Sequence, residues 1–176
     1  MKNFKEYVFP SIALFIICLV VTLALAATYT MTAPVIAEVN QQRADAARTE
    51  VLPSGEGSFA EMKLDALVDG VEEIYFAENK SGLVITTNDK GFGGKIRVMT
   101  GFDTTGAITA VKLIEHKETP GLGTRVMAED YLGQYVGKTD LEGVDAISGS
   151  TISSMAMYRA VDKAVRQFPE AGGELE

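Results

Sequence analysis

Ile96-Arg97-Val98-Met99-Thr100-Gly101-Phe102-Asp103-Thr104-Thr105-Gly106-Ala107-Ile108 and the run on to Ile114 decide the fold. Ile96, Val98, Thr100 and Phe102 alternate with Arg97, Met99 and Gly101, a period of two that belongs to a strand with one face in a core. Asp103-Thr104-Thr105-Gly106 reads as a turn, because Asp side chains cap their own backbone and Gly tolerates the reversal. Ile108 to Ile114 supplies the returning strand. Strands joined by so short a turn pair antiparallel, so the sheet is at least partly antiparallel.

Working outward, Glu73–Ala77 and Leu83–Thr87 are short strand candidates. Gly91-Phe92-Gly93-Gly94-Lys95 is the turn that leads into the hairpin. It lacks the lysine–serine/threonine pair of a nucleotide-binding P-loop. Residues 127–136 predict a short helix before the Gly137-Lys138 break. The last element runs from Ile152 to Phe168. There Met157, Val161, Ala164, Val165 and Phe168 mark an apolar face at helical spacing, with Asp162, Lys163 and Arg166 opposite. Pro169 and Gly172-Gly173 are expected to end it. Upstream, Phe59 to Asp69 is expected to hold a short helix, and residues 53–57 break the chain. Residues 31–52 predict a helix, with Thr32 as its cap and Pro34 at its first position.

The chain has 176 residues, a net charge of −8 and 47% hydrophobic residues. Mean hydropathy is +0.11, high for a soluble domain. The acidic balance excludes nucleic acid as a partner, because a phosphate backbone needs a basic stripe. The single cysteine, Cys18, lies in the apolar N-terminal segment. Disulfides, iron–sulfur ligation and cysteine–zinc sites are therefore excluded from the rest of the chain.

Val8 to Ala27 is a run of 20 residues without a charge. At about 1.5 Å per residue it reaches the thickness of a bilayer core. A cleaved signal peptide has a shorter apolar region, so a membrane helix is the better reading, although Ala24-Leu25-Ala26 could serve as a cleavage site. Lys2, Lys5 and the terminal amine precede the span, and no basic residue follows until Arg43. The positive-inside rule places the N-terminus in the cytoplasm and the remainder outside. The expected organisation is a cytoplasmic N-terminus and transmembrane helix over 1–30, a helical connector over 31–57 and an extracytoplasmic domain over 58–176.

Two segments carry candidate chemistry. Asp145-Ala146-Ile147-Ser148-Gly149-Ser150-Thr151-Ile152-Ser153-Ser154 opens the final helix with small hydroxyl residues and one glycine. Unpaired N–H groups and the positive end of the helix dipole favour an anion there, although a plain serine/threonine cap has the same composition. His116-Lys117-Glu118-Thr119-Pro120-Gly121-Leu122-Gly123 follows the second hairpin strand. Its Pro-Gly pair makes a tight turn with exposed N–H groups, suited to a planar ring or to no ligand at all. His116 is the sole histidine, and no spacing around it singles out a metal. No serine–histidine–acid order carries a signature, so no catalytic residue is assigned.

Both segments resemble the FMN-binding subunits of the Rnf and sodium-pumping NADH:quinone oxidoreductase complexes. The Asp-x-x-(Ser/Thr)-Gly-Ala-(Thr/Ser) pattern of that family is the site at which a flavin transferase attaches FMN. By this resemblance Asp145 and Ser148-Gly149 belong to the transferase recognition sequence, and Thr151 carries FMN through a phosphoester. Ser150 stands where the family usually has alanine, which makes it a second, less favoured acceptor. The His-x-Glu-Thr-Pro-Gly-Leu-Gly stretch of the family lines its flavin. It implies that Glu118, Thr119, Leu122 and Gly123 contact the isoalloxazine or ribityl part.

The resemblance further implies an α+β fold: one N-terminal transmembrane helix, then an FMN-binding domain with a twisted, largely antiparallel sheet flanked by helices. It is strongest to the G subunit of the Rnf complex, a membrane-bound ion-translocating ferredoxin:NAD oxidoreductase. The implied partners are the other Rnf membrane subunits, a second flavin subunit among them, and the flavin transferase. One helix meets membrane lipid, and the chain has no turnover alone. Three other readings stay open: the C subunit of the sodium-translocating NADH:quinone oxidoreductase, an FMN donor domain for an extracellular reductase, and a cofactor-free anchored binding module.

Overall fold

The computed structural model describes residues 2–173, so the terminal amine of Met1 lies outside the described residues. The chain divides into two compact units, Met1–Arg43 and Ala44–Glu176.

The first unit is helical. α1 comprises Lys2–Val51, and its residues from Ala44 on belong to the second unit. It contains an 18-residue window of mean hydropathy 2.6, long and apolar enough to cross a membrane by length and composition. Leu14, Phe15, Leu23 and Leu25 are all exposed. Thr28 and Thr32 return their hydroxyl protons to the carbonyls of Ala24 and Thr28. Such back-bonding satisfies a hydroxyl on an apolar helix. It also corrects the expected start of a second helix at Thr32, which caps nothing. Pro34 lies inside α1.

In the second unit five strands follow one another: β1 (Phe59–Met62), β2 (Val71–Ala77), β3 (Gly82–Lys90), β4 (Lys95–Asp103) and β5 (Ile108–Glu115). They form one antiparallel sheet in the order β1-β2-β3-β4-β5. β3 and β4 pair along their whole length, Gly82 opposite Asp103 through Lys90 opposite Lys95. The segment expected to start a short helix at Phe59 instead forms β1, because β2 offers it an edge. α2 (Glu129–Leu132) is a single turn, and α3 (Thr151–Gly172) is the long C-terminal helix.

The alternation read from β4 divides the side chains between two layers. Ile85, Ile96, Val98, Phe102, Val111 and Leu113 face α3, whose Met157, Ala160, Val161 and Ala164 are fully buried. Thr87 Oγ1 donates to the Ala160 carbonyl across this interface at 2.8 Å. Phe168 packs its ring 5.1 Å from that of Phe102. That contact and buried Ala171 carry α3 past Pro169 to Gly172, beyond the expected stop. On the opposite face Val51 and Leu52 close over Ala77, Val84 and Met99. Residues 44–57, read from the sequence as connector, therefore contribute to the second unit.

Ion pairs tie the elements at their solvent edges. Asp89 of β3 meets Arg159 at 2.8 Å and Lys163 at 2.9 Å, both from α3. Glu72 of β2 receives Lys95 at 2.6 Å and Arg97 at 2.5 Å from β4. Burial alone would raise the Glu72 carboxyl, but the hydrogen bonds from Lys95 and Arg97 outweigh it and hold it below its ordinary value.

Candidate functional site

Three segments converge at the N-terminal end of α3. The first is the turn between β3 and β4, residues 91–94, closed by a bond from Gly91 N–H to the Gly94 carbonyl at 2.7 Å. The second is the loop after β5, which tightens as Leu122 and Thr124 return their N–H groups to the Thr119 carbonyl. The third is the approach to α3 through Ser148 and Gly149. Gly149 has φ +81°, a backbone state that L side chains rarely adopt.

Between them lies a cleft of about 290 Å³. Its apolar walls come from Phe92, Leu122 and Ile152, and its polar edge from Thr119, Ser150, Thr151 and Ser153. Phe92 is 67% exposed. The volume stands at the lower edge of the roughly 300–1,000 Å³ usual for small-molecule clefts. The cleft is open on one side, so a ligand larger than the cavity can project from it.

The two adjacent hydroxyls differ. Thr151 is exposed at the first position of α3. Ser150 is 5% exposed, and its Oγ donates to the Leu122 carbonyl at 2.7 Å. Ser150 thus makes no side-chain cap on α3. The first intrahelical bond runs from Ser154 N–H to the Ser150 carbonyl at 2.9 Å. The N–H groups of Thr151, Ile152 and Ser153 therefore start the helix without an intrahelical acceptor and lend the cleft edge a positive field. Arg125 reaches the same approach, its Nη1 donating to the Ser148 carbonyl at 3.1 Å.

Support lies one layer down. Ser154 Oγ donates to the Ser150 carbonyl at 3.0 Å and accepts from Ile147 N–H at 3.1 Å. The Tyr131 hydroxyl donates to the Ser154 carbonyl at 3.1 Å and pairs with that of Tyr135 at 2.9 Å. Burial pushes the Tyr131 phenol up, against the pull of its hydrogen bonds to Tyr135 and Ser154. Burial raises Tyr135 as well, and the Tyr131 hydroxyl beside it pushes the same way. Both stay neutral hydrogen-bonding struts at any ordinary pH.

The residues singled out from the sequence fall into two groups. Thr119, Leu122, Gly123, Gly149, Ser150 and Thr151 line the cleft together. Ser148, Asp145 and Glu118 do not. Ser148 presents its carbonyl to Arg125, and Asp145 is exposed, with its N–H donating to Gln134 Oε1 at 2.8 Å. Glu118 is buried beneath the cleft, 5% exposed. Phe92, Ile152 and Ser153 were not singled out. The glycine-rich turn around Phe92 was the available signal, and the other two are helical neighbours of Thr151.

This arrangement suits a flavin nucleotide. A hydroxyl at a helix start can meet a phosphate, and apolar walls with an aromatic ring can meet the isoalloxazine. Residues 91–166 match the FMN-binding domain family. The chain is 32% identical over 183 residues to the G subunit of the Na(+)-translocating ferredoxin:NAD(+) oxidoreductase complex of Acetobacterium woodii, covering 88% of each. It is 30% identical over 180 residues to the G subunit of the ion-translocating oxidoreductase complex of Methanosarcina acetivorans, covering 94% of this chain and 96% of that one. NqrC of Shewanella oneidensis superposes with a TM-score of 0.47 at 21% identity, covering 67% of this chain and 69% of that one. By its identity to the two G subunits over nearly its whole length, the chain belongs to the G-subunit family of ion-translocating oxidoreductase complexes of the Rnf type.

Proposed function

We propose that the chain is the FMN-carrying electron-transfer subunit of a membrane-bound, ion-translocating ferredoxin:NAD oxidoreductase complex, with FMN esterified to Thr151. The observation that carries the reading is the placement of Thr151: an exposed hydroxyl at the first position of α3, on the rim of the cleft.

FMN, when bound, supplies the redox chemistry, and the protein supplies position, electrostatics and the tether. Thr151 Oγ1 would hold the phosphate. The N–H groups of Thr151, Ile152 and Ser153 offset the charge of a phosphodiester. Phe92, Leu122 and Ile152 exclude water from the apolar part. The Ser150 bond to the Leu122 carbonyl holds the loop against the helix start, so that both sides of the cleft keep their spacing. No side-chain acid or base is required for passing an electron.

The apolar part of α1 would anchor the protein, and the positive-inside distribution supports an extracytoplasmic side for the second unit. A flavin transferase supplies the FMN there. The other subunits of the complex, a second flavin subunit among them, deliver and remove electrons.

The test is intact-mass and peptide mass spectrometry on the full chain produced together with a flavin transferase. The expected result is a gain of one FMN less one water, localised to Thr151. Protein with no added mass would overturn the reading.

A further inference from the structure

Among the described residues Glu118 is the one buried acid at the site, and both of its carboxyl oxygens are engaged. Oε1 accepts from Gly93 N–H at 3.0 Å, and Oε2 accepts from Ser153 Oγ at 2.5 Å. Gly93 belongs to the turn that carries Phe92. Ser153 belongs to the first turn of α3, two residues beyond Thr151. The carboxyl group therefore spans two of the three segments that build the cleft, from the base of the third.

The glycines around it make the socket. A Cβ at Gly91 would overlap Glu118 Oε1, and a Cβ at Gly123 would overlap Oε2. A Cβ at Gly93 would overlap the Lys117 carbonyl. Gly91 of the glycine-rich turn and Gly123 of the Pro-Gly-Leu-Gly loop thus leave the space that this carboxyl group fills between them. A buried acid held by two neutral donors is costly unless its bonds are kept, so the clasp resists opening.

We propose that Glu118 is a positioning residue: its carboxyl group clasps the Phe92 turn to the first turn of α3 and sets Phe92 as a wall of the cleft, without touching the flavin. The proposal rests on the FMN reading given above, but the clasp itself does not need the cofactor. Its action through Phe92 has a distinct signature. Glu118→Ala and Phe92→Ala should perturb the same property, and the double variant should add nothing. Glutamine should replace Glu118, because its carbonyl accepts from Gly93 N–H and its amide donates to Ser153 Oγ, which accepts as readily as it donates. Aspartate should not, because it is one methylene too short to span both partners.

The test uses the full chain produced with the flavin transferase, with Glu118→Ala, Glu118→Asp, Glu118→Gln, Phe92→Ala and the Glu118→Ala/Phe92→Ala pair. Each variant is expected to keep the FMN mass gain. The visible absorption and circular dichroism bands of the flavin should shift alike in Glu118→Ala, Glu118→Asp, Phe92→Ala and the pair, and should stay as in the parent in Glu118→Gln. A second readout needs no flavin. In a Thr151→Ala background, hydrogen exchange at Gly93 should quicken about tenfold on Glu118→Ala or Glu118→Asp, as loss of one hydrogen bond implies, and return with Glu118→Gln. Additive shifts in the pair would mean that Glu118 acts on the flavin directly, and would overturn the proposal. So would parent-like bands in Glu118→Asp, or a Gln variant that behaves as Ala. If the parent protein carries no flavin, the functional reading fails, and Gly93 exchange alone decides the clasp.

Discussion

Ser150 Oγ donates to the Leu122 carbonyl across 2.7 Å, while its neighbour Thr151 stands exposed at the start of α3. Two adjacent hydroxyls thus have separate duties, one joining loop to helix and the other available for chemistry. Thr151→Ala is expected to fold and to lose the flavin mass entirely. Ser150→Ala is expected to keep that mass and to lose about 1 kcal/mol of stability with its hydrogen bond. Intact mass and thermal unfolding measure both. Flavin that persists in Thr151→Ala and vanishes in Ser150→Ala would move the acceptor.

Gln167 is fully buried in α3. Its Oε1 accepts from Val68 N–H at 2.6 Å, and its Nε2 donates to the Ala66 carbonyl at 3.4 Å. The side chain thus pairs backbone groups of the strandless segment between β1 and β2. Gln167→Leu keeps the volume and strands the Val68 N–H. A loss of roughly 1–3 kcal/mol is expected, the usual cost of a buried polar group left alone. Chemical denaturation of the solubilised chain checks it, and an unchanged midpoint would mean that water reaches Val68.

Gly101 marks the crossing of β4 under the end of α1. A Cβ there would overlap the Val51 carbonyl and come within 2.6 Å of Thr109 Oγ1. Those two groups already hydrogen-bond at 2.5 Å. Gly101→Ala should therefore destabilise by about 1–3 kcal/mol through overpacking. Equal or higher thermal stability would show that Val51 does not lie against β4.

Acid should loosen α3 through Asp89. Burial would raise its carboxyl, but hydrogen bonds from Arg159, Lys163 and the Lys90 N–H lower it below its ordinary value. A depressed carboxyl contributes stability above its unfolded value, about pH 4, and loses that contribution as pH falls through the folded value. The parent protein should therefore lose stability progressively below about pH 4. Asp89→Asn should be less stable at neutral pH and show a shallower acid dependence. Parallel curves for the two proteins would remove Asp89 as a source of that dependence.

The hairpin from Ile96 to Ile114 was legible because its alternation is local and uninterrupted. β1 was not, since Phe59-Ala60-Glu61-Met62 has no strong period and becomes a strand only where β2 stands beside it. Pro34 and Pro169 read as a helix start and a helix stop. A single missing N–H does not end a helix that neighbouring residues extend, and at Pro169 the packing of Phe168 and Ala171 decides. At the site, Thr119, Leu122, Gly123, Ser150 and Thr151 were visible as two motifs, and the fold brings them to one cleft. The position of Glu118 was not visible. Spacing reveals that an acid is present, but whether it faces a ligand or a neighbouring turn depends on how three segments meet.

The strand order of the sheet follows the order of the chain. Each strand finds its partner in the segment just made, so pairing needs only short loop closures. The cleft has the opposite character. Its rim requires α3, which follows all five strands in the chain, to settle on a sheet whose strands are already joined. On the proposed reading, tethering of FMN at Thr151 must await the settling of α3, and a product truncated before that helix would present a finished sheet with nowhere to receive a flavin.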